Sequence, residues 1–273
     1  MIDVQVTIVV VPRERFSYTS RSLESIYEHT DIPFSLVYVD GGSPARIRRY
    51  LTQKARQNKF KLLRTEHYLS PNQARNLGLQ QVESKYVVFV DNDVLVSPGW
   101  LQALVDCAEK TGAWVVSPLT LIDSTGAQTV HSAGGTVNVK ENQGQRVFHS
   151  NHSFAGMSLA DVASDLHFQP TELGEFHCML ILTEAGHRTG PFDEQLFSIP
   201  RGGRFLSCGA GKRRLSLLRT SECHHLRLST PFSLVRPSFF HAALERSLEL
   251  RQPPAFPSQM GTGQRRQAHC DCE

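Results

Sequence analysis

At 273 residues the chain is long enough for one large domain or two small ones, and its 40% hydrophobic content is ordinary for a soluble globular protein. No apolar run reaches the ~20 residues of a membrane span, and no basic stretch precedes Ile8–Val11, so neither a transmembrane segment nor a secretory signal is expected. The net charge of +3 hides a basic C-terminal part, and the six Cys lack the paired C-x-x-C spacing of a zinc framework, which leaves free thiols and a cytoplasmic setting.

Val4 to Val11 reads as a buried strand, followed by a loop over Pro12 to Ser17. Tyr18 to His29 places Leu23, Ile26 and Tyr27 on one helical face. Phe34 to Val39 is a second strand, ending in Asp40. Gly41-Gly42-Ser43-Pro44 is a turn, with Pro44 suited to open the basic helix Ala45 to Gln57. Phe60 to Leu63 is a third strand, and Pro71-Asn72 open a helix containing Ala74, Leu77 and Leu79. Tyr86 to Val90 is the fourth strand, Trp100 to Lys110 the next helix, and Ala113 to Val116 the next strand. Strands and helices that alternate at this spacing imply a mostly parallel sheet covered on both faces.

Beyond Leu119 the pattern loosens. Gly134-Gly135 is expected to turn a hairpin between Thr129–His131 and Thr136–Val139, and Asn142 to Ser158 reads as a loop. Phe176 to Thr183 reads as a strand and Glu184 to Gly190 as a short helix. Glu175 and His177 flank that strand and read as structural or acceptor-pocket residues, while His131, His149 and His152 read as loop residues.

Ligands in parallel sheets bind beyond the carboxyl ends of the strands. Those ends carry Pro12 to Arg15, Asp40, His67 and Asp91-Asn92-Asp93. Two carboxylates at i and i+2 past a buried strand can share one divalent cation, and that cation can neutralise a diphosphate.

An ordered set of segments resembles the family 2 glycosyltransferases. Val6-Thr7-Ile8-Val9-Val10-Val11-Pro12 looks like their first strand, and Ser22-Leu23-Glu24-Ser25-Ile26 like their first helix. Val39-Asp40-Gly41-Gly42-Ser43 is similar to their acidic turn, and Asn72 to Gly78 to their A-R-N-x-G helix. Asp91-Asn92-Asp93 matches their D-x-D metal motif, and Gly190-Pro191-Phe192-Asp193-Glu194 their G-x-F-D-E segment. The resemblance covers residues 1 to about 197. It implies a GT-A-like three-layer α/β/α sandwich and transfer of a sugar, with inversion, from a nucleotide-diphosphate sugar to a hydroxyl. A UDP-sugar is the favoured donor; a saccharide or lipid-linked molecule is the expected acceptor. By the same resemblance Asp40 would accept hydrogen bonds from the base or ribose, and Arg75 would orient the nucleotide. Asp93, with Asp91 beside it, would hold Mg²⁺ or Mn²⁺. Pro12, Glu14 and Asn92 complete the expected donor-binding set. Arg13-Glu14-Arg15 departs from the family's first loop, and no Gly-rich loop of a sugar-1-phosphate nucleotidyltransferase follows the first strand. The setting implied is cytoplasmic or peripheral at a membrane.

The family's general base lies a few residues after F-D-E. Here Ser198 to Ser207 holds no acid, and an arginine cannot act as that base. Residues 200–273 hold eleven Arg and one Lys against one Asp and four Glu, a net +7, with one Val and no Ile, Tyr or Trp. Codons for Ile199 to Cys208 can be written ATC CCG CGA GGA GGT CGA TTT CTG TCT TGC. Read one base later they give Ser-Arg-Glu-Glu-Val-Asp-Phe-Cys-Leu, an acidic stretch of the missing kind. The expectation is therefore a domain over 1–199 and an out-of-frame, irregular tail over 200–273, whose charge is not read as a nucleic-acid surface. On that reading the chain is catalytically impaired and at most binds nucleotide.

Overall fold

The computed structural model describes residues 5–13, 15–123, 128–142, 145–167, 169–192, 194, 217–218 and 226–228. The first half alternates strictly. It runs β1 (Val6–Val11), α1 (Thr19–Glu28), β2 (Ser35–Gly41), α2 (Ala45–Asn58), β3 (Lys61–Thr65), α3 (Pro71–Leu79) and β4 (Tyr86–Asp91). Then follow β5 (Val94–Leu95), α4 (Trp100–Thr111), β6 (Val115–Val116), β7 (Thr120–Asp123) and β8 (Gln128–Ser132). The remainder is β9 (Gly135–Asn142), β10 (Gln145–His152), α5 (Leu159–Val162), β11 (Pro170–Thr171), β12 (Cys178–Leu182), α6 (Thr183–Thr189), β13 (Leu217–Leu218) and β14 (Leu226–Leu228).

The main sheet has six strands in the order β3-β2-β1-β4-β12-β6. β1, β2, β3 and β4 are parallel, while β12 lies antiparallel between β4 and β6. Every residue of β1 and β4 is buried, which explains their near-continuous apolar sequence. Alternate residues serve opposite faces. Ile8 and Val10 join Leu23, Ile26, Leu51, Trp100 and Leu104 in one core layer. Val9 and Val11 join Val39, Ala74, Phe89, Met179 and Ala185 in the other. This is the expected three-layer α/β/α arrangement.

Local chemistry sets the helix that matters most. Ser70 Oγ accepts from Gln73 N at 3.3 Å, and Gln73 Oε1 accepts from Ser70 N at 2.9 Å, a reciprocal capping box with Pro71 at the first helical position. Such a cap contributes about 1 kcal/mol. At the other end of α3, a Cβ on Gly78 would lie 2.3 Å from Val9 Cγ1. Only glycine lets this helix sit so close to β1.

Three expectations need correction. Gly134-Gly135 does not turn a β8–β9 hairpin: β8 pairs with β7, and β9 pairs with β10. A Cβ on Gly135 would lie 2.0 Å from Asn151 O, so the glycine serves a close backbone crossing instead. The span expected as a loop over Asn142 to Ser158 contains most of the β10 ribbon, held by backbone pairing that its polar composition conceals. His131, His149 and His152 accordingly lie on strands, not in loops. Of the tail expected to be irregular, only 217–218 and 226–228 are described; β13 pairs with β11, and β14 pairs with β5 and β7. The rest of that expectation lies outside the described residues. Among the described residues no helix is long and apolar enough to cross a membrane.

Candidate active site

The parallel strands β1, β2 and β4 deliver Pro12-Arg13, Asp40 and Asp91 to one edge of the sheet. β12 runs the other way, so its beginning meets the same edge: Cys178 pairs with Val90, and Asp91 N donates to His177 O at 3.0 Å. The antiparallel insertion thereby brings Glu175, Phe176 and His177 to the place where a ligand is expected.

Asp91 is the hub. Its carboxylate is buried, with Oδ2 3.0 Å from His177 Nδ1 and 3.4 Å from Arg13 Nε, while Oδ1 is 3.7 Å from Arg75 Nη2. Burial alone would raise its pKa, but Arg13, His177 and Arg75 outweigh that and hold it below the ordinary value. Asp93 is half-buried and shifts the other way. Burial, then the neighbouring Asp91 charge, raise its pKa. The two carboxylates of the D-x-D motif therefore differ in kind: one is held by three cationic groups, and the other carries negative charge at a cost that a cation would relieve.

Asn92 is buried and spoken for. Its Oδ1 accepts from Arg13 N at 2.7 Å and its Nδ2 donates to Thr19 Oγ1 at 3.1 Å, which ties the first loop to α1. Pro12 is buried against the backbone turn that contains Gly41. Asp40 is also buried, accepting from Ser43 N at 3.0 Å and Ser43 Oγ at 2.9 Å and pairing with Arg64. Glu14 lies outside the described residues.

Arg75 is fully buried, an unusual place for a guanidinium. It stacks over Phe176 at 4.3 Å, donates to Asn72 Oδ1 at 3.2 Å, and faces Asp91. Burial lowers its pKa to about 9, so it remains a cation at neutral pH. The next residue clamps a remote segment. Asn76 Nδ2 donates to Phe192 O at 2.9 Å and Glu194 Oε1 at 2.8 Å, and its Oδ1 accepts from Phe192 N at 2.8 Å. Phe192 then packs edge-on against Phe89 and Phe176. Two of the sequence motifs, A-R-N-x-G and G-x-F-D-E, are thus one packed unit. Asp193 and the acid-free stretch Ser198–Ser207 lie outside the described residues.

Sequence reasoning gave Glu175 and His177 as structural or acceptor-pocket residues but did not bring His131 and His152 to them. His131 Nε2 lies 2.9 Å from Glu175 Oε2, His177 Nε2 lies 3.7 Å from the same oxygen, and His152 Nδ1 lies 3.8 Å from Glu175 Oε1. Burial would raise the Glu175 pKa, yet His131, His177 and His152 bring it down to about 2. The available signal was the position of Glu175 and His177 just ahead of the strand Cys178–Leu182.

Comparison with known proteins decides the family. Residues 7–161 match the description Glycosyl transferase family 2. The chain belongs to glycosyl transferase family 2. A protein of Rickettsia bellii (strain RML369-C), described as an uncharacterized glycosyltransferase, is 26% identical over 93 residues, which is 34% of this chain and 13% of that protein. Among solved structures, S. aureus TarS 1-349 in complex with UDP-GlcNAc is similar with a TM-score of 0.54 and 16% identity, over 84% of this chain and 60% of that one. GalNAc-T7 with UDP, GalNAc and Mn²⁺ is similar with a TM-score of 0.59 and 15% identity, over 91% of this chain and 48% of that one. At these identities the likeness establishes the shared fold, and the chain spans less than two thirds of each of these relatives. The family match stops before the Gly190–Glu194 segment.

Proposed function

We propose that this family 2 chain is a nucleotide-sugar glycosyltransferase that uses a divalent metal and transfers with inversion. The observation that carries the reading is the convergence of Arg13, Asp91, Asp93 and Arg75 at the carboxyl edge of a family 2 sheet. A UDP-sugar is the favoured donor, in keeping with the nucleotides named for TarS and GalNAc-T7.

The residues fit a hard cation. Asp91 Oδ1 is buried without a hydrogen-bond partner among the described residues, and Asp93 bears a carboxylate whose charge is disfavoured where it stands. All-oxygen carboxylate ligands suit Mg²⁺ or Mn²⁺. Asp93 would hold the ion with Asp91 beside it, and a bound ion supplies charge neutralisation for the diphosphate leaving group. Arg75 and Arg13 fix the Asp91 carboxylate in place. Asp40, Pro12 and Asn92 shape the floor of the donor site. Arg75, stacked on Phe176, keeps positive charge beneath it.

The absence of an acid over Ser198–Ser207 favours a second reading, that this chain binds donor but turns over poorly. Loss of a positioned general base costs ~10²–10⁴-fold in rate. The nucleotidyltransferase reading finds no support in the family match.

Calorimetry of the purified chain with UDP, with Mn²⁺ and with chelator, tests donor binding. Metal-dependent binding is expected, and equal affinity with and without metal would overturn it. A sugar-nucleotide panel assayed beside it separates the two readings, since full turnover excludes the impaired one. We further propose that the coding DNA carries a one-base insertion or deletion near codon 199. A shifted frame that meets stop codons at once, or lacks the acidic stretch, refutes that origin.

A further inference from the structure

The carboxylates of the donor site leave a neighbouring cluster unexplained. His131 stands on β8, while Glu175 and His177 lie just before β12. One ligand atom from each of the three lies within 4.8 Å of the others. Glu175 is 4% exposed, and its Oε2 lies 2.9 Å from His131 Nε2 in a contact that lacks the alignment of a full hydrogen bond. A buried carboxylate oxygen in that condition is costly unless a cation meets it.

The His177 imidazole is turned to accept one. A carboxylate only accepts, so His177 Nδ1 must carry the proton that it shares with Asp91 Oδ2 at 3.0 Å. Its Nε2 is then a lone pair in the neutral ring, and it faces Glu175 Oε2 at 3.7 Å. In the neutral form of His177 two acceptors therefore confront each other across that gap. A histidine whose second nitrogen donates to a carboxylate is the usual arrangement behind a metal ligand. Tetrahedral zinc with bonds near 2.0–2.1 Å separates its ligand atoms by about 3.3 Å. The contacts of Glu175 Oε2 with the two imidazoles, 2.9 and 3.7 Å, bracket that edge. Both histidine side chains are 25% exposed, so an ion can enter from solvent and keep an open position.

We propose that His131, Glu175 and His177 form a second metal site that takes a borderline transition ion such as Zn²⁺ or Co²⁺, separate from the all-oxygen donor site at Asp93. Two imidazoles and one carboxylate select such ions, whereas Mg²⁺ and Mn²⁺ prefer oxygen ligands. The competing account is a proton. His177 loses basicity through burial but gains more from Asp91 and Glu175, so a protonated cluster would also satisfy Glu175.

The test uses the full chain, stripped with chelator and titrated with Zn²⁺ by calorimetry and with Co²⁺ by visible absorption. One tight equivalent is expected, with ligand-field bands in the Co²⁺ form and no displacement by excess Mg²⁺. His131→Ala and Glu175→Gln should weaken Zn²⁺ by at least ~10-fold, the scale of disturbing a ligand shell. Asp93→Ala should lose metal-dependent UDP binding yet retain the Zn²⁺ equivalent, with a smaller loss of affinity than His131→Ala causes, because the two sites are linked only through the Asp91–His177 contact. Circular dichroism of each variant confirms folding, and the comparison of wild type with His131→Ala and Glu175→Gln assigns the ion to this cluster rather than to the Cys and His residues near the C-terminus. A stripped wild-type chain that binds no Zn²⁺ and shows no Co²⁺ bands overturns the site, as does Zn²⁺ binding that Asp93→Ala abolishes and His131→Ala leaves intact.

Discussion

Asp91 and Asp93 are two residues apart and do different work. Asp91 is encircled by Arg13, Arg75 and His177, and those groups depend on it as much as it depends on them. Replacing it with Ala removes the carboxylate that the fully buried Arg75 faces, a loss of about 3–5 kcal/mol for a broken buried pair. Asp93 differs in that its charge is disfavoured in the folded chain. Asp93→Ala should therefore leave Tm nearly unchanged and weaken UDP binding in Mn²⁺ by about 1–3 kcal/mol, the scale of a lost charge-assisted contact. Asp91→Ala should lower Tm sharply. Thermal melts run beside UDP calorimetry check this, and equal Tm losses in the two variants would refute the division of roles. The D-x-D motif was legible from the sequence, but its asymmetry was not. Arg13, His177 and Arg75 come from three separate segments, and only the fold shows that they share one carboxylate.

The strand and helix pattern of the first half was legible because each element there carries its own periodicity and punctuation. Pro71 with Ser70 and Gln73 opens α3, and Gly112 with a left-handed backbone closes α4. The elements that escaped were those whose partners are chosen by backbone pairing. β9 and β10 form eight residue pairs, yet their sequence is too polar for an apolar alternation to stand out. β12 was legible as a strand, but its direction was not, since a period of two is the same either way. That direction is what carries Glu175 and His177 to the edge where Asp91 stands. Packing between elements yields a sharper test at Gly78, where a Cβ would meet Val9 Cγ1 at 2.3 Å. Helix propensity favours Ala over Gly by about 1 kcal/mol, so an unpacked helix would be stabilised by the change. Overpacking a core contact costs typically about 1–3 kcal/mol. Gly78→Ala should therefore destabilise, read as a lower urea midpoint, and combining it with Val9→Ala should recover part of the loss. A Gly78→Ala chain as stable as wild type would show that α3 can shift away from β1 at little cost.

At the scale of the whole molecule, the cluster of Asp91, Asp93, Glu175 and His177 makes stability depend on pH from both sides. Glu175 has an ordinary value of 4.5 and a folded value of about 2. A depressed acid contributes stability that is complete above its unfolded value and fades as pH falls toward the folded one. Asp91, also depressed, acts in the same direction from 3.8 downward. Asp93 is raised and opposes them, because its charging at higher pH costs stability. His177 is raised above 6.5, so its contribution is complete below that value and fades as pH rises through its folded pKa. With metals removed by chelator, Tm should therefore peak between the unfolded values of 4.5 for Glu175 and 6.5 for His177, and decline on either side. Glu175→Gln should flatten the acidic limb, since an amide has no proton to gain there. His177→Gln should flatten the alkaline one for the same reason. A Tm that stays level from neutrality down to about pH 3 would mean that the carboxylates are not held by the charges around them. Adding Zn²⁺ supplies a second arm. An ion bound at His131, Glu175 and His177 competes with protons for the imidazoles. Its stabilisation should therefore grow as pH rises through the range in which His177 loses its own contribution, turning the alkaline decline into a plateau.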